Sequence, residues 1–492
     1  MSIIALDLGT TACKVSVFTE ELELIGCSSA EYPTHHTIQY GAEQNAEEWW
    51  SAVEKATRLL FDKNPEAVKQ SVAVGVSGHM MGLLAVDSDG EQLFPSMIHM
   101  DTRSQAQAKE LDETIGGDTL YYRSGNVLSA SSSLCKALWL KQNNPEIYGK
   151  TARFLQSKDY LVYRLTNNMD STDYSDASHG VLIDIHKKEY LTDVMQETGI
   201  SVDKFPILNR STTVVGKVCA EASRRLHIPE GIPVVAGGGD GACASTGAGI
   251  SFEGDMYCSL GTSAWLAYNS LQPFVDKNKR VFNIMSLDGE SVGVFGTMAA
   301  AGKVVDWVSN LFGISIQDLN KIALESPPGC EGLVFLPYLE GERSPIFDPA
   351  ARGVYFGLTP IHENKHMLRA AMEGVAYALR SILDVMREQG DFENARIIGG
   401  GAKSRLWKQI IADICCITIQ DVTSSSDSVT SLGAAIAAGV GIGLFSNIHQ
   451  AVSKISVHKE YYPNEGRIEY QKGYSVYKAL YPQLRPVYAM EY

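Results

Sequence analysis

The sequence predicts a mixed α/β protein built from two related domains. Three observations carry that expectation. The chain has 492 residues, more than one ordinary core accommodates. A six-residue motif at the tip of the first hairpin returns about half the chain later. Several β-like runs end in glycine-rich corners that open helices. Strands arrive as hairpins interleaved with helices, so the pattern is not a strict βαβ alternation.

The elements follow in order. Alternating apolar residues at 3–8 and 14–18 flank Asp7-Leu8-Gly9-Thr10-Thr11 and read as a hairpin, with a third strand at 22–28. Residues 46–61 place Trp49, Val53, Ala56 and Leu60 on one helical face. An apolar strand at 71–76 ends in Ser77-Gly78-His79. Residues 83–86 and 92–94 pair around Ser88-Asp89-Gly90, a turn sequence. Helices are expected at 132–141 and 158–165. A strand at 232–236 runs into Gly237-Gly238-Gly239-Asp240, and a β-rich block follows at 255–268, 280–286 and 292–296. Long helices at 300–311 and 365–387 precede a strand at 395–398, which ends in Gly399-Gly400-Gly401. Helices close the pattern at 406–414 and 432–439. The glycine-rich run 237–249 marks the boundary, dividing the chain into domains 1–245 and 246–492.

Composition narrows the function. The net charge of −15 argues against a general nucleic-acid or anionic-membrane binder. Nine scattered cysteines without a CxxC pair suggest reduced thiols and a cytoplasmic location. The N-terminus lacks a basic region and a cleavage site, so no signal peptide is expected. The apolar tract 432–445 is short for a membrane span and rich in glycine and alanine, which reads as a closely packed internal helix.

The repeat carries the chemistry. Asp7-Leu8-Gly9-Thr10-Thr11-Ala12 and Ser259-Leu260-Gly261-Thr262-Ser263-Ala264 share leucine, glycine, the first threonine and alanine. A glycine corner admits close approach, and successive N–H groups and hydroxyls can hold phosphate oxygens. Two such corners would clamp a polyphosphate. Only Asp7 adds a carboxylate, the donor magnesium prefers beside phosphates. Ordinary glycine turns are the alternative, and for a single copy the better one. Asp240 follows a glycine-rich strand end, where a carboxylate can accept the proton of a nucleophilic hydroxyl. At Gly399–Ser404, close strand–helix packing and an adenine platform are equally compatible with the spacing. His79, Met80 and Met81 can line a pocket, or the methionines can fill core. Asp101 and Arg103 suit polyol hydroxyls, a substrate carboxylate or a surface ion pair.

Together these signals resemble the FGGY carbohydrate kinases over nearly the whole chain. Ser131 to Leu140 (SSSLCKALWL) is similar to the family's first signature, with Ala137 where a larger apolar residue is usual. Lys158-Asp159-Tyr160-Leu161 through Asp173-Tyr174-Ser175-Asp176-Ala177-Ser178 matches its next stretch. Phe335 to Pro345, Ala351-Arg352-Gly353, Glu373-Gly374 and the loop at Gly399–Ser404 complete the order. The resemblance implies two ribonuclease-H-like, actin-like ATPase domains around a central ATP and sugar cleft. It implies transfer of the ATP γ-phosphate to a sugar or polyol hydroxyl. By position, Asp240 corresponds to the general base and Asp7 to the carboxylate near Mg2+, acting through water. Thr10 and Thr11, then Gly261 and Thr262, correspond to the phosphate loops. Gly302, Asp306, Gly400, Gly401 and Arg405 correspond to nucleotide contacts, and His79, Met80, Met81, Asp101 and Arg103 to sugar-contacting segments.

The chain is closest in tone to xylulose kinases but departs from them. Their substrate loop reads Gln-Met-His-Gly, against His79-Met80-Met81-Gly82 here, and Gly241 replaces an asparagine after the base. Val429-Thr430-Ser431 also replaces a more usual segment. A site without those polar partners should discriminate against the sugar that needs them. A ketose such as a xylulose-like pentulose is the expected acceptor, with a gluconate- or glycerol-type acceptor as the alternative. A non-enzymatic sugar sensor on the same fold ranks last, because no added DNA-binding helix pair is visible and the base is present. Expected partners are the small-molecule sugar and ATP, without nucleic acid or membrane; a homodimer is compatible with the sequence.

Overall fold

The computed structural model describes residues 1–37, 40–422, 428–464 and 468–490. The chain forms two compact units. Unit 1 comprises Met1–Glu253, Asn269–Val294 and Asp427–Ile455, and unit 2 comprises Gly254–Tyr268, Phe295–Ser426 and Ser456–Tyr492.

In unit 1, strand Ser2–Leu8 lies at the centre of a sheet. It pairs antiparallel with Ala12–Thr19, which pairs with Leu24–Glu31. On its other side it pairs parallel with Ser71–Gly78, followed by Pro233–Val235. All seven residues of the central strand are buried, because both faces are covered. Helix Ala46–Lys63 covers one face with Trp49, Trp50, Val53, Ala56 and Leu60, packed with Ile4, Leu6, Val15 and Val74 in one apolar core. Helix Val429–Gly441 packs on strands Ser2–Leu8 and Ser71–Gly78. Its small residues permit backbone contact: a Cβ on Gly75 would stand 2.0 Å from the Ala434 carbonyl oxygen. The expected closely packed internal helix is therefore present. It also meets helix Asp240–Gly247, where a Cβ on Gly433 would lie 2.0 Å from the Cys243 oxygen. A second, five-stranded sheet carries Gly41–Gln44, Gln92–Met97 and Leu83–Val86.

Unit 2 repeats the plan. Strands Met256–Leu260 and Ala264–Ser270 form its antiparallel hairpin. Asn394–Ile398 and then Thr418–Val422 add in parallel to the first of them. Val292–Met298 neighbours the second. The strand order thus matches that of unit 1, and each unit has the ribonuclease-H-like arrangement the resemblance implies. Helices Gly302–Phe312 and Arg405–Cys415 both pack on the long helix Asn364–Met386.

Candidate active site

Strand register assembles the unit 1 site. Asp7 pairs with Ser77, and Ser77 pairs with Gly238; Leu8, Gly78 and Gly239 form the next rung. Asp240 follows immediately as the first residue of helix Asp240–Gly247. Two strand spacings of about 4.8 Å separate the Asp7 strand from that of Gly238–Gly239. One sheet edge thereby brings together two carboxylates distant in sequence.

Their environment alters both acids. Burial pushes the Asp7 carboxyl up to about 6, against the pull of Lys14 opposite it in the hairpin. Burial and the neighbouring Asp7 charge push Asp240 up to about 7, although the Gly241 N–H donates to its Oδ1 at 2.8 Å. Asp7 Oδ1 is buried without a hydrogen-bond partner. An orphaned carboxylate oxygen is a costly arrangement unless something else occupies that direction. A magnesium ion or its hydration water fits this donor, as the hard oxygen ligand the ion prefers. Among the described residues no group of three His, Cys, Asp or Glu side chains could hold a metal alone. Asp7 would therefore share the ion with phosphate and water oxygens.

The hairpin tip beside Asp7 closes through the Gly9 N–H to the Ala12 carbonyl at 3.1 Å. Tyr32 fixes the corner by donating its hydroxyl to the Gly9 carbonyl, and Gln44 Nε2 donates to the Thr10 carbonyl at 2.7 Å. Thr11 is exposed and Thr10 half-buried. Neither Gly9 nor Gly261 adopts a left-handed φ, so ordinary turn geometry does not demand glycine at either position. A Cβ on Gly261 would meet nothing closer than the Ser263 oxygen at 3.6 Å. The chain leaves its own corner open, as close approach of a phosphate requires.

His79 lies past the end of the strand that pairs with Asp7, and its N–H donates to the Leu8 carbonyl at 2.8 Å. Its ring is buried against Trp49, with centroids 5.5 Å apart, and neither ring nitrogen has a hydrogen-bond partner. Burial lowers its pKa to about 3, with His99 and Lys136 adding to the effect, so the imidazole is neutral. Met80 is buried and fills the space in front of Gly239, where a Cβ would stand 2.5 Å from its sulfur. At Gly241 a Cβ would meet Ile284 Cδ1 at 3.2 Å, with the Met80 sulfur at an ordinary 3.6 Å. Met81 has φ 61°, and its carbonyl accepts from Lys136 Nζ at 2.6 Å. The same ammonium donates to the Ile98 carbonyl at 2.7 Å. Burial lowers Lys136 to about 7, against the pull of Asp101.

Asp101 and Arg103 pair with each other, Asp101 buried and Arg103 half-buried, rather than as a surface ion pair. Arg103 Nε donates to both Asp101 oxygens at 3.0 and 2.9 Å, and Glu43 takes its remaining end at 2.6 Å. Its guanidinium lies over Trp139, 5.1 Å from the ring centroid. Asp101 also accepts the Ala42 N–H at 3.0 Å. Two carboxylates thus offset the one guanidinium.

In unit 2, the Gly261 N–H donates to the Ser263 carbonyl at 3.0 Å. The Gly302 N–H donates to the Gly261 carbonyl at 2.8 Å, and the Ala301 N–H to that of Thr262 at 2.9 Å. These bonds seat the helix start directly on the corner. The glycine triad divides its roles. Gly399, at φ 95°, and Gly401 pack against Leu260, whereas a Cβ on Gly400 would meet open space. Close packing and an open platform therefore coexist in one loop. Asp306 is exposed on helix Gly302–Phe312, and Arg405 is exposed at the start of helix Arg405–Cys415.

Sequence reasoning assigned no role to Lys136, Glu43, Tyr32 or the buried cluster of Lys158, Asp159, Asp173 and Asp176. A signal existed: a lysine inside the apolar run Leu134–Leu140, and the polar, acidic run TDYSDAS.

Two family profiles match the chain: the N-terminal domain of the FGGY family of carbohydrate kinases over residues 2–247, and its C-terminal domain over residues 256–442. A xylulose kinase of Staphylococcus epidermidis is 33% identical over 494 residues, covering 99% of this chain and 98% of that protein. A gluconokinase of Bacillus subtilis is 30% identical, covering 88% of this chain and 86% of that protein. The crystal structure of a xylulose kinase from Rhodospirillum rubrum superposes with a TM-score of 0.89 at 25% identity, covering 100% of both chains. Among the described residues no helix is long and apolar enough to cross a membrane.

Proposed function

Because the chain belongs to the FGGY family of carbohydrate kinases, we propose that it transfers the γ-phosphate of magnesium-bound ATP to a hydroxyl of an uncharged ketose of the xylulose type. Asp240 is the base in this reading. The observation that carries it is the position of Asp240: a carboxylate at a helix start, raised to about 7, beside the buried His79–Met80 corner. A base with that affinity for protons works at neutral pH.

In the reaction, Asp240 takes the hydroxyl proton as the substrate oxygen bonds to the γ-phosphorus. The bond from that phosphorus to the β–γ bridging oxygen breaks, and ADP leaves. Magnesium, when bound, offsets charge on the phosphates. Thr10 and Thr11 in unit 1, and Gly261 and Thr262 in unit 2, hold phosphate oxygens. Gly302, Asp306, Gly400, Gly401 and Arg405 serve the nucleoside end. Nine unpaired cysteines suit a reducing compartment such as the cytoplasm.

The side chains favour an uncharged acceptor. A neutral imidazole offers one donor and one acceptor, which matches sugar hydroxyls. Arg103 is already bound by Asp101 and Glu43, so it has little charge to spend on a substrate carboxylate. A second reading, a sugar acid or polyol, draws on the gluconokinase similarity and on the absence of histidine at Met81 and asparagine at Gly241. A coupled ADP-release screen over ketoses, aldoses, polyols and sugar acids decides between them. Ketoses should give the highest kcat/KM; a preference for gluconate overturns the first reading. In Asp240→Ala, sugar-dependent ADP formation should vanish while ATP binding stays nearly intact, and full activity there rejects the base.

A further inference from the structure

Beneath the sheet edge that carries Asp240 lies a charge cluster closed to solvent. Lys158, Asp173 and Asp176 are each 0% exposed, and Asp159 is 1% exposed. Lys158 Nζ lies 2.5 Å from Asp159, 3.1 Å from Asp173 and 3.5 Å from Asp176. One buried ammonium facing three carboxyl groups, of which burial pushes Asp176 well above the ordinary range, is expensive to assemble and makes a weak stability device. Burial alone would push Lys158 down, but the three aspartates together hold it above its ordinary value and keep it charged.

The cluster has a directed exit. Asp173 Oδ2 accepts the hydroxyls of Ser175 at 2.6 Å and Ser211 at 2.7 Å. It also accepts the Ser175 N–H at 2.9 Å, and its Oδ1 takes the Asp176 N–H at 3.3 Å. With its O–H directed to Asp173, the Ser175 oxygen accepts the Gly239 N–H at 2.8 Å. Gly239 caps the helix whose first residue is Asp240, with extended φ −60° and ψ 151°. A hydroxyl that donates to an anion becomes a better acceptor, so each link strengthens the next.

We propose that Lys158, Asp173 and Ser175 form a positioning relay that locks Gly239 and thereby aims the Asp240 carboxylate at the acceptor hydroxyl. The proposal rests on Asp240 being the base. No relay residue touches substrate; each acts through the backbone at Gly239. The arrangement explains why charge is buried here: a rigid cap keeps the base aimed, and a misplacement of about 1 Å can cost on the order of 100-fold in rate.

The test uses the full chain with Ser175→Ala, which keeps the volume and removes the relay hydroxyl. kcat should fall by about 10- to 100-fold with KM for ATP changed less than about twofold. The acidic limb of kcat should move below pH 7 as Asp240 gains solvent. Thr57→Val removes another buried hydroxyl of unit 1, one bonded to the Val53 carbonyl. It serves as the measure of a purely structural loss, and its kcat should match the parent. An unchanged kcat and pH profile in Ser175→Ala, with Asp240→Ala inactive, overturns the relay alone. An active Asp240→Ala removes the reading beneath it. If Ser175→Ala is poorly folded, Lys158→Arg keeps the charge and should retain more turnover than Lys158→Met; equal loss in both overturns the relay.

Discussion

The two glycine-threonine hairpins share a plan and differ in the side chain each presents and in what holds its carbonyls. Both pair antiparallel strands around a corner, and both take a parallel neighbour on the same side. In unit 1 that neighbour is Ser71–Gly78, leading to His79; in unit 2 it is Asn394–Ile398, leading to Gly399. The first corner presents Asp7, and side chains of Tyr32 and Gln44 hold its carbonyls. The second presents Ser259, and backbone N–H groups of Ala301 and Gly302 hold its carbonyls. One architecture thus yields a corner with a spare carboxylate oxygen and another built of backbone and hydroxyl. Duplication supplies two similar corners, and the exchange of Asp7 for Ser259 leaves a carboxylate on only one of them.

The largest effect should come from removing Asp240, the proposed base. Asp240→Asn should cut turnover by about 1,000-fold. It should also stabilise the protein at pH 8. A carboxyl raised from 3.8 to about 7 binds its proton more tightly folded than unfolded, so stability present at acid pH is lost as pH rises between those values. Asparagine avoids that loss, a gain on the order of 2–4 kcal/mol that vanishes below about pH 4. Denaturant titrations at pH 4 and pH 8 measure it; equal stabilities at pH 8 count against the raised carboxyl.

Next in size is the carboxylate that separates the corners. Asp7→Asn should lower kcat by about 100-fold at low magnesium, partly recovered at high magnesium. Ser259→Ala should change kcat less than about threefold. Equal losses at the two positions would erase the asymmetry. Steady-state kinetics across a magnesium series gives the answer.

The smallest effect tests what the corners share. A Cβ on Gly261 makes only an ordinary contact, so Gly261→Ala should fold with little loss yet raise KM for ATP about tenfold. In Gly9→Ala the added Cβ approaches the Ala12 oxygen at 3.3 Å, so a modest stability loss should accompany the same rise. If thermal melts change while KM does not, the glycines serve folding and not phosphate.

Much of this was legible because it is local. Alternation marked the hairpin strands, and the spacing of Trp49, Val53, Ala56 and Leu60 marked a helix that buries all four. Glycine triplets marked the strand ends that line each corner. Other features were illegible because they depend on chain segments far apart in sequence. The pairing of Arg103 with Glu43 joins a loop to strand Gly41–Gln44, and the tail segment Val429–Gly441 packs on the helix that starts at Asp240.

By itself, then, the sequence determined the two α/β units, the repeated corners and the identity of each candidate donor, since these follow from residue type and short-range spacing. Only the tertiary structure decided their chemical state. Burial raised both the Asp7 and the Asp240 carboxyls, and the Asp7 charge raised Asp240 further. Enclosure against Trp49 made His79 neutral and left its nitrogens unpaired, and the Lys158 cluster acquired a line to Gly239. Proton affinity and hydrogen-bond satisfaction are properties of an environment, and folding creates that environment from residues the chain keeps apart.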